Sequence, residues 1–249
     1  MKVGRVLGTP VAATSRVEAC DHLERWIAER RREYIVLANV HLIETGRRDP
    51  AVAEALAHAG VVLPDGAPVA WSVRRATGSQ SDRVTGSDVF EELCSRSPSN
   101  GYRHFFYGSS PQTVEALEGF VARDYPGIEI CGSLSPPFSP AAELRADELA
   151  AINDARPDIV WVGLGAPKQE LWMRLARPHL EAPLLLGVGA VFDFASGSKR
   201  RAPDLLQQLG LEWAYRLARE PRRLGRRYLT TNTSFTVTTL RSLLFGGQR

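Results

Sequence analysis

Two stretches of the sequence end an apolar run in groups that can do chemistry. The residues Val61-Val62-Leu63-Pro64-Asp65-Gly66 predict a short buried strand that stops at a turn, with the Asp65 carboxylate at the strand's end. Residues 159–170 repeat the pattern, because an apolar strand there is followed by Gly, Lys, Gln and Glu. Ligands of open α/β sheets bind at the carboxyl ends of strands, which makes Asp65 a candidate catalyst. An Asp in this position also commonly serves as a turn or helix-cap residue, and the local pattern leaves both roles open.

A second set of residues suits phosphate. Between Arg216 and Arg227 there are six arginines and one acid, Glu220. Such a basic cluster suits phosphates, anionic lipid surfaces or nucleic acid, and a solvated helix face is the alternative. The residues Gly108-Ser109-Ser110-Pro111 follow a predicted strand and open a predicted helix, so their backbone amides can hold a diphosphate. The alternative for them is ordinary capping, with Ser at the N-cap and Pro at the first helical position.

Several other kinds of site are disfavoured. The pair Gly163 and Gly165 follows a strand, but Lys168 stands where a dinucleotide fingerprint needs its third Gly. The sequence contains no Asp-x-Asp, so the usual acidic clamp for a nucleotide sugar bound through Mg²⁺ or Mn²⁺ is absent. It also contains no Gly-x-Ser-x-Gly and no Walker loop. These observations argue against a nicotinamide enzyme, a serine hydrolase and a P-loop nucleotidase.

The elements that must position these residues alternate along the chain through residue 189. Apolar runs predict strands at residues 34–38, 61–64, 102–107, 128–134, 159–163 and 184–188. Apolar residues at helical spacing predict helices at residues 15–33, 49–60, 67–76, 88–96, 141–155 and 167–180, and another that begins at Pro111. Several of the strands are apolar throughout, which is typical of a mostly parallel sheet covered by helices on both faces. We therefore predict an α/β core.

The character of the sequence changes after Gly189. Residues 190–203 mix aromatic, acidic and basic residues with small ones, which predicts a ligand-facing loop. Residues 203–228 are Arg-rich and predicted to be helical, and residues 240–245 resemble a short amphipathic or interfacial piece. We therefore divide the chain into a core at residues 1–195 and a helical, Arg-rich C-terminal appendage at residues 196–249.

Composition and length describe an ordinary globular protein. The chain has 249 residues, 44% of them hydrophobic and 24% charged, and a net charge of +3. Three cysteines lie far apart without zinc spacing, which indicates a reducing compartment. We find no signal peptide and no run that approaches the ~20 apolar residues of a spanning helix. The expected location is cytosolic, or on a membrane from its cytosolic side.

Taken together, the motifs resemble the WecG/TagA/CpsF glycosyltransferases over about residues 30–230. The resemblance is specific because of the order and spacing of its parts, which are Leu63-Pro64-Asp65-Gly66, Arg83-Val84-Thr85-Gly86-Ser87-Asp88, Gly108-Ser109-Ser110-Pro111, Gly163-Leu164-Gly165-Ala166-Pro167-Lys168-Gln169-Glu170, Gly187-Val188-Gly189-Ala190-Val191-Phe192-Asp193, Lys199-Arg200-Arg201-Ala202-Pro203, Gly210-Leu211-Glu212-Trp213-Ala214-Tyr215-Arg216-Leu217 and Glu220-Pro221-Arg222-Arg223-Leu224.

The resemblance implies an activity and a set of partners. It implies inverting transfer of a hexose or N-acetylhexosamine from a UDP-sugar to a polyprenyl-diphosphate-linked saccharide, in the synthesis of an exopolysaccharide, capsule or teichoic acid. It implies a Rossmann-like α/β core whose C-terminal appendage helps the enzyme meet the cytoplasmic membrane surface, with no metal and no cofactor. Self-association into a homo-oligomer is plausible, and nucleic acid is not an expected partner.

The resemblance also implies roles for individual residues. Asp65 is the expected general base, and Arg216, Arg223 and Arg226 are the expected clamp for the UDP diphosphate, for which bidentate guanidinium is suitable chemistry. The other residues that we expect to bind substrate are Asn39, Gly66, Arg83, Thr85, Gly108, Ser109, Lys168, Gln169, Gly189, Phe192 and Asp193.

One departure from the family pattern affects what can be carried over. Family members often have Thr two residues before the Asn, and this chain has Leu37 there. The donor sugar or the local hydrogen bonding can therefore differ. Two other classes stay open on sequence alone: another nucleotide-sugar enzyme, such as an epimerase or dehydrogenase, and a non-catalytic basic module that grips nucleic acid or an acidic polymer.

Overall fold

The fold is described from a computed structural model of the chain. The structure describes residues 1–139, 141–195 and 212–219, together with residues 197, 203, 206, 225, 231, 234, 235, 237 and 238.

Strands and helices alternate along most of the described chain. The elements in chain order are β1 (Lys2–Val6), β2 (Thr9–Ala13), α1 (Arg16–Ala28), β3 (Glu33–Ala38), α2 (Val40–Gly46), α3 (Pro50–Ala57), β4 (Val61–Pro64), α4 (Ala67–Thr77), α5 (Gly86–Asn100), β5 (Arg103–Gly108), α6 (Pro111–Asp124), β6 (Glu129–Leu134), α7 (Ala146–Asp154), β7 (Ile159–Gly163), α8 (Lys168–Ala176), β8 (Leu184–Gly187), α9 (Val191–Ala195) and α10 (Glu212–Arg219). Of the helices in the described ranges, none is both long and apolar enough to cross a membrane.

Six of the strands form one sheet in the order β4-β3-β8-β7-β5-β6. Each neighbouring pair in that order is parallel. The predicted parallel sheet is therefore confirmed. Since all six strands run in the same direction, their carboxyl ends lie along one edge, where α/β proteins bind ligands.

Helices cover both faces of this sheet, as predicted. Alternate residues of a strand point to opposite faces, and in β3 Ile35 and Leu37 join one apolar cluster while Tyr34 and Val36 join another. The first cluster includes Leu23 of α1, Phe90 of α5, Leu117 of α6 and Phe192 of α9. The second includes Leu42 of α2, Leu56 of α3, Val69 of α4 and Trp172 of α8. Strands β3, β4, β7 and β8 are largely apolar because helices bury both of their faces.

Two short helices stand where the sequence patterns predicted none. Helix α2 follows β3 directly, although only a strand end was expected at Asn39. Helix α9 occupies residues 191–195, so the prediction of a ligand-facing loop over residues 190–203 is wrong for that part. The remainder of that loop lies largely outside the described residues. Both helices are too short for a 3.6-residue period to stand out from the apolar strand beside them.

The N-terminal hairpin was also not predicted. Strands β1 and β2 pair antiparallel and pack on α4, with Gly4 of β1 so close that an added Cβ would lie 2.8 Å from Thr77 Cγ2. Only Gly4 and Val6 of β1 are buried, so the strand lacks the long apolar run that marks the strands of the main sheet. The hairpin extends the fold beyond the predicted core elements.

The described residues at 231–238 contact the core rather than stand apart from it. Phe235 is 5% exposed and belongs to the apolar cluster that contains Leu42 of α2. Ser234 Oγ donates a hydrogen bond to Glu44 Oε2 at 2.8 Å, and Arg47 Nη1 donates one to Thr238 Oγ1 at 3.3 Å. Part of the segment assigned to the appendage therefore packs against α2. The predicted interfacial piece at 240–245 lies outside the described residues.

Candidate functional site

Asp65 lies at the carboxyl end of β4, as the sequence predicts. Its backbone N–H donates to Ala38 O at 3.0 Å, which extends the pairing of β4 with β3 by one residue. Gly66 follows with a φ of 137°, a conformation that favours glycine, and is the N-cap of α4. The half-buried Asp65 is thus not the N-cap residue of α4, and its backbone is held between a strand end and a helix start.

Asn39 occupies the equivalent place on the neighbouring strand. Ala38 of β3 and Pro64 of β4 are direct partners in the sheet, so Asn39 and Asp65 leave the sheet side by side. Asn39 is also the N-cap of α2, where its Oδ1 accepts a hydrogen bond from Leu42 N at 3.1 Å. This bond fixes the Asn39 amide against the first turn of α2.

The segment before α5 closes over the same strand ends. Val84 N donates to Pro64 O at 2.9 Å, which ties the segment to the end of β4 and places the half-buried Arg83 next to it. Thr85 is the N-cap of α5, and its side chain accepts from Asp88 N at 3.1 Å in a capping box. The Thr85 hydroxyl therefore has a structural partner, and its predicted contact with substrate stays a prediction.

Leu37 occupies the position where family members often have Thr. It is 5% exposed, and its Cδ1 lies 3.5 Å from where a Cβ of Gly86 would stand. An added Cβ on Gly86 would also lie 3.3 Å from Val188 O, at the end of β8. In this chain the position makes an apolar contact below the site instead of presenting a hydroxyl to it.

The ends of β5 and β7 pack tightly at the middle of the edge. Gly108 has a φ of 122°, and an added Cβ there would lie 2.7 Å from Gly163 C. Ser109 has a positive φ of 60°, Ser110 is the N-cap of α6, and Pro111 is in the first turn of the helix. The capping arrangement is thus present, and the predicted binding of diphosphate by the same amides stays a prediction.

The packing at Gly108 predicts a large effect of a small substitution. Gly108→Ala combines a left-handed backbone conformation with a clash against backbone, so we expect the free energy of unfolding to fall by about 2–4 kcal/mol. The measurement is urea denaturation followed by circular dichroism.

Gly119→Ala in α6 is the matched control for that substitution, since a Cβ there meets nothing within 4 Å. It should be neutral or raise the free energy of unfolding by up to about 1 kcal/mol. Equal stability of the two variants would contradict the close approach of β5 and β7.

Gln169 lies against the end of β8. The residue is 4% exposed and is in the first turn of α8, where its backbone N–H donates to Gly165 O at 2.9 Å. Its side-chain Nε2 donates to Glu170 Oε1 at 2.8 Å. A Cβ added to Gly187 would lie 2.9 Å from Nε2, and one added to Gly189 would lie 3.4 Å from Oε1. Glycines at both positions give this side chain its room.

Three other residues predicted to bind substrate, Lys168, Phe192 and Asp193, lie in different surroundings. Lys168 Nζ donates to Ser139 O at 2.5 Å and lies 5.8 Å from the centre of the Phe138 ring, so its ammonium group holds the segment that follows β6. Phe192 is 1% exposed and packs in the core, close enough to touch a Cβ added to Gly163, and its predicted contact with substrate stays a prediction. Asp193 is half-buried in the first turn of α9.

The arginines predicted to clamp the diphosphate are only partly within the structure. Arg216 is in α10, and Arg223 and Arg226 lie outside the described residues. The described neighbour Arg219 donates from Nε to Tyr215 Oη at 3.3 Å, one turn earlier in α10.

The structure brings most of the predicted residues to one edge of the sheet. Those at or next to the carboxyl ends of the strands are Asn39, Asp65, Gly66, Arg83, Thr85, Gly108, Ser109, Lys168, Gln169 and Gly189. The sequence patterns missed Glu170, which is 0% exposed and bonded to Gln169. Neighbours in a helix usually point in different directions, so no spacing rule would have paired these two residues.

Comparison with known proteins gives a family match and a relative. The sequence matches the model of the glycosyl transferase WecG/TagA/CpsF family over residues 4–249. A relative from Bacillus spizizenii, an N-acetylglucosaminyldiphosphoundecaprenol N-acetyl-beta-D-mannosaminyltransferase, is 32% identical over 206 residues, which are 82% of this chain and 79% of the relative. A strand-end carboxylate beside an Asn, on a parallel α/β sheet, is a setting in which a transferase can work. This chain belongs to the WecG/TagA/CpsF family of glycosyl transferases.

Proposed function

We propose that this glycosyltransferase moves a hexose or an N-acetylhexosamine from a UDP-sugar to a polyprenyl-diphosphate-linked saccharide, with inversion at the anomeric carbon. The product would enter a bacterial surface polysaccharide such as an exopolysaccharide, capsule or teichoic acid. The observation that carries the proposal is Asp65 at the carboxyl edge beside Asn39, in a chain whose relative is named for transfer to a diphosphoundecaprenol-linked sugar.

Asp65 acts as the general base in this proposal. The acceptor hydroxyl oxygen attacks the anomeric carbon, the bond from that carbon to the UDP oxygen breaks, and the hydroxyl proton passes to the Asp65 carboxylate. One displacement of this kind inverts the anomeric centre. A free aspartate is a weak base, with a pKa of about 3.9. Its contribution therefore comes from a fixed position next to the reacting hydroxyl and from proton transfer late in the displacement.

Stabilisation of the leaving UDP is the second requirement. The diphosphate gains negative charge as the bond breaks, and hydrogen-bond donors or cations aimed at it lower the barrier. Backbone amides at Gly108 and Ser109, between the end of β5 and the N-cap of the 14-residue α6, are suited to one phosphate. Arg216, Arg223 and Arg226 supply the remaining charge in the proposal, without a metal ion.

The acceptor determines where the enzyme works. A polyprenyl-diphosphate substrate is held in a membrane, so the protein must reach the cytoplasmic face of that membrane to act. Basic and aromatic residues at 213–228 are suited to anionic headgroups and to the interface. We therefore propose peripheral association with the inner face of the cell membrane, with the site edge turned towards the lipid-linked acceptor.

The direct test is UDP release from a panel of UDP-sugars, with lipid-linked saccharide acceptors in detergent micelles and with EDTA present. We expect release with one donor, dependent on the acceptor and unchanged by EDTA, and a product of opposite anomeric configuration by NMR. Release that stops in EDTA would overturn the metal-independent mechanism. Retention of configuration would overturn the single displacement, and no release with any donor and acceptor would overturn the proposed substrates.

A further inference from the structure

Two adjacent buried side chains at the site edge form a pair that the mechanism above does not use. Gln169 is 4% exposed and Glu170 is 0% exposed, and Gln169 Nε2 donates to Glu170 Oε1 at 2.8 Å. The other end of the amide is different. Gln169 Oε1 is buried and has no hydrogen-bond partner among the described residues. A buried carbonyl oxygen without a donor is uncommon in proteins and calls for an explanation.

The position of the Gln169 Oε1 atom supplies such an explanation. Oε1 is the atom nearest to the position of an added Cβ on Gly189, at 3.4 Å, which is at the carboxyl end of β8. Gly189 presents only backbone there, with a φ of 52° that favours glycine. The oxygen therefore lies at the carboxyl edge of the sheet, the edge on which Asn39 and Asp65 also lie.

Glu170 decides which end of the amide faces that edge. An ionised carboxylate has acceptors only, so with Glu170 ionised the Gln169 NH₂ group faces it, at 2.8 Å, and the carbonyl oxygen turns away. We propose that Glu170 is a positioning residue that holds the Gln169 amide so that Oε1 accepts a hydrogen bond from an O–H or N–H group of the bound substrate. This inference rests on the proposed function for the identity of the substrate.

A purely structural role for Glu170 makes a different prediction. Glu170 lies in the first turn of α8, where a negative charge stabilises a helix. If stabilising the helix were the only role of Glu170, its replacement would lower the free energy of unfolding. The size of that effect would not depend on the side chain at 169. An interaction between the two residues in catalysis separates the two roles.

The experiment is a double-mutant cycle with Glu170→Gln, Gln169→Ala and the double variant, in which kcat and KM are measured for donor and acceptor separately. A glutamine at 170 can donate as well as accept, so the orientation of Gln169 is no longer fixed. We expect kcat/KM to fall by about tenfold to a hundredfold in Glu170→Gln, the range for a lost buried hydrogen bond. In the Gln169→Ala background the same change should alter kcat/KM by less than about twofold.

The substrate that supplies the donor group follows from the same data. A rise in KM or in the dissociation constant for the UDP-sugar alone would place that group on the donor, and a rise for the lipid-linked saccharide alone would place it on the acceptor. A loss confined to kcat would place the bond in the transition state. Equal effects of Glu170→Gln in both backgrounds would overturn the inference.

Glu148→Gln is the matched control. Glu148 is 9% exposed, accepts from Tyr107 Oη at 2.7 Å and lies in α7, a helix that carries none of the predicted site residues. Like Glu170→Gln, Glu148→Gln exchanges a buried carboxylate for an amide. It should therefore lower the midpoint of thermal unfolding but leave kcat/KM within about twofold of wild type. A comparable loss of kcat/KM in this control would show that Glu170→Gln acts through stability.

A measurement without turnover separates this inference from the proposed function. The side-chain amide of Gln169 can be identified in ¹H–¹⁵N spectra by its absence in Gln169→Ala. One of its protons should lie downfield in wild type and move upfield in Glu170→Gln, because a charge-assisted hydrogen bond is lost. An unchanged signal would overturn the orientation by Glu170. Absence of UDP release by the wild type would overturn the proposed function instead.

Discussion

Asp65→Asn is expected to lower acceptor-dependent UDP release by about 10²–10⁴-fold, the range that a general base contributes. Asn has nearly the same shape as Asp but cannot take the proton from the acceptor hydroxyl. Asp65 is half-buried, and its backbone N–H is bonded to Ala38 O at 3.0 Å, so the substitution leaves its place at the strand end intact. The loss should therefore appear in kcat.

Binding and a neighbouring carboxylate provide the controls for Asp65→Asn. The dissociation constant for UDP, measured by calorimetry, should stay within about threefold of wild type, because the base acts on the acceptor and not on the nucleotide. Asp82→Asn removes an exposed carboxylate from the segment before α5 and should leave turnover unchanged. If Asp65→Asn retained turnover within threefold of wild type, another group would have to be the base.

The parts of the fold that could be predicted are those that depend on local patterns. The strands of the main sheet are apolar runs that end in Gly, Pro or polar residues, and each predicted run is a strand within two residues of its expected ends. Asp65 could be placed at the site because the end of a parallel strand is both a recognisable pattern and the place where ligands bind. The pattern placed Asn39 at the end of the next strand, and only the family resemblance made it a candidate site residue.

The parts that could not be predicted depend on contacts between distant or unpatterned residues. Glu44 is bonded to Ser234 across 190 positions, and no local pattern reports such a pair. The ammonium group of Lys168 donates to Ser139 O, which comes from another loop of the edge, and no local pattern reports that contact. Phe192 lies in a motif that resembles a ligand loop, but the short helix α9 turns the ring into the core. In each case tertiary packing decides the partner of the side chain.

Glu44 shows how the C-terminal residues are attached. This carboxylate is 0% exposed, accepts from Arg47 Nη1 at 2.9 and 3.1 Å, and accepts from Ser234 Oγ at 2.8 Å. A buried charge needs partners of this kind because an unpaired one is strongly destabilising. Beside it, Phe235 inserts into the core cluster with 5% of its surface exposed. The described residues Ser234, Phe235 and Thr238 therefore contact the core at α2 and at Arg47, which follows it.

Phe235→Ala is expected to lower the free energy of unfolding by about 3 kcal/mol, since it removes a buried aromatic ring from the core. For a chain of this size that loss corresponds to a fall of roughly 6–12 °C in the midpoint of thermal unfolding. Hydrogen exchange of the backbone amides of Ser234, Phe235, Val237 and Thr238 should become faster, because the ring no longer packs in the cluster that contains Leu42 of α2. Urea denaturation and exchange followed by mass spectrometry are the measurements.

Val237→Ala is the control for Phe235→Ala, because Val237 belongs to the same segment but is 43% exposed. It should change the free energy of unfolding by no more than about 0.5 kcal/mol.

The pair of variants also tests the connection between this segment and the proposed site. Helix α2 begins at Asn39 beside Asp65, and the arginines of the proposed diphosphate clamp lie in the sequence between α9 and Phe235. In Phe235→Ala the segment should detach from the core. The rate of UDP release should then fall at temperatures where the protein is still folded. Unchanged turnover in a variant whose segment exchanges fast would show that the clamp does not depend on this attachment.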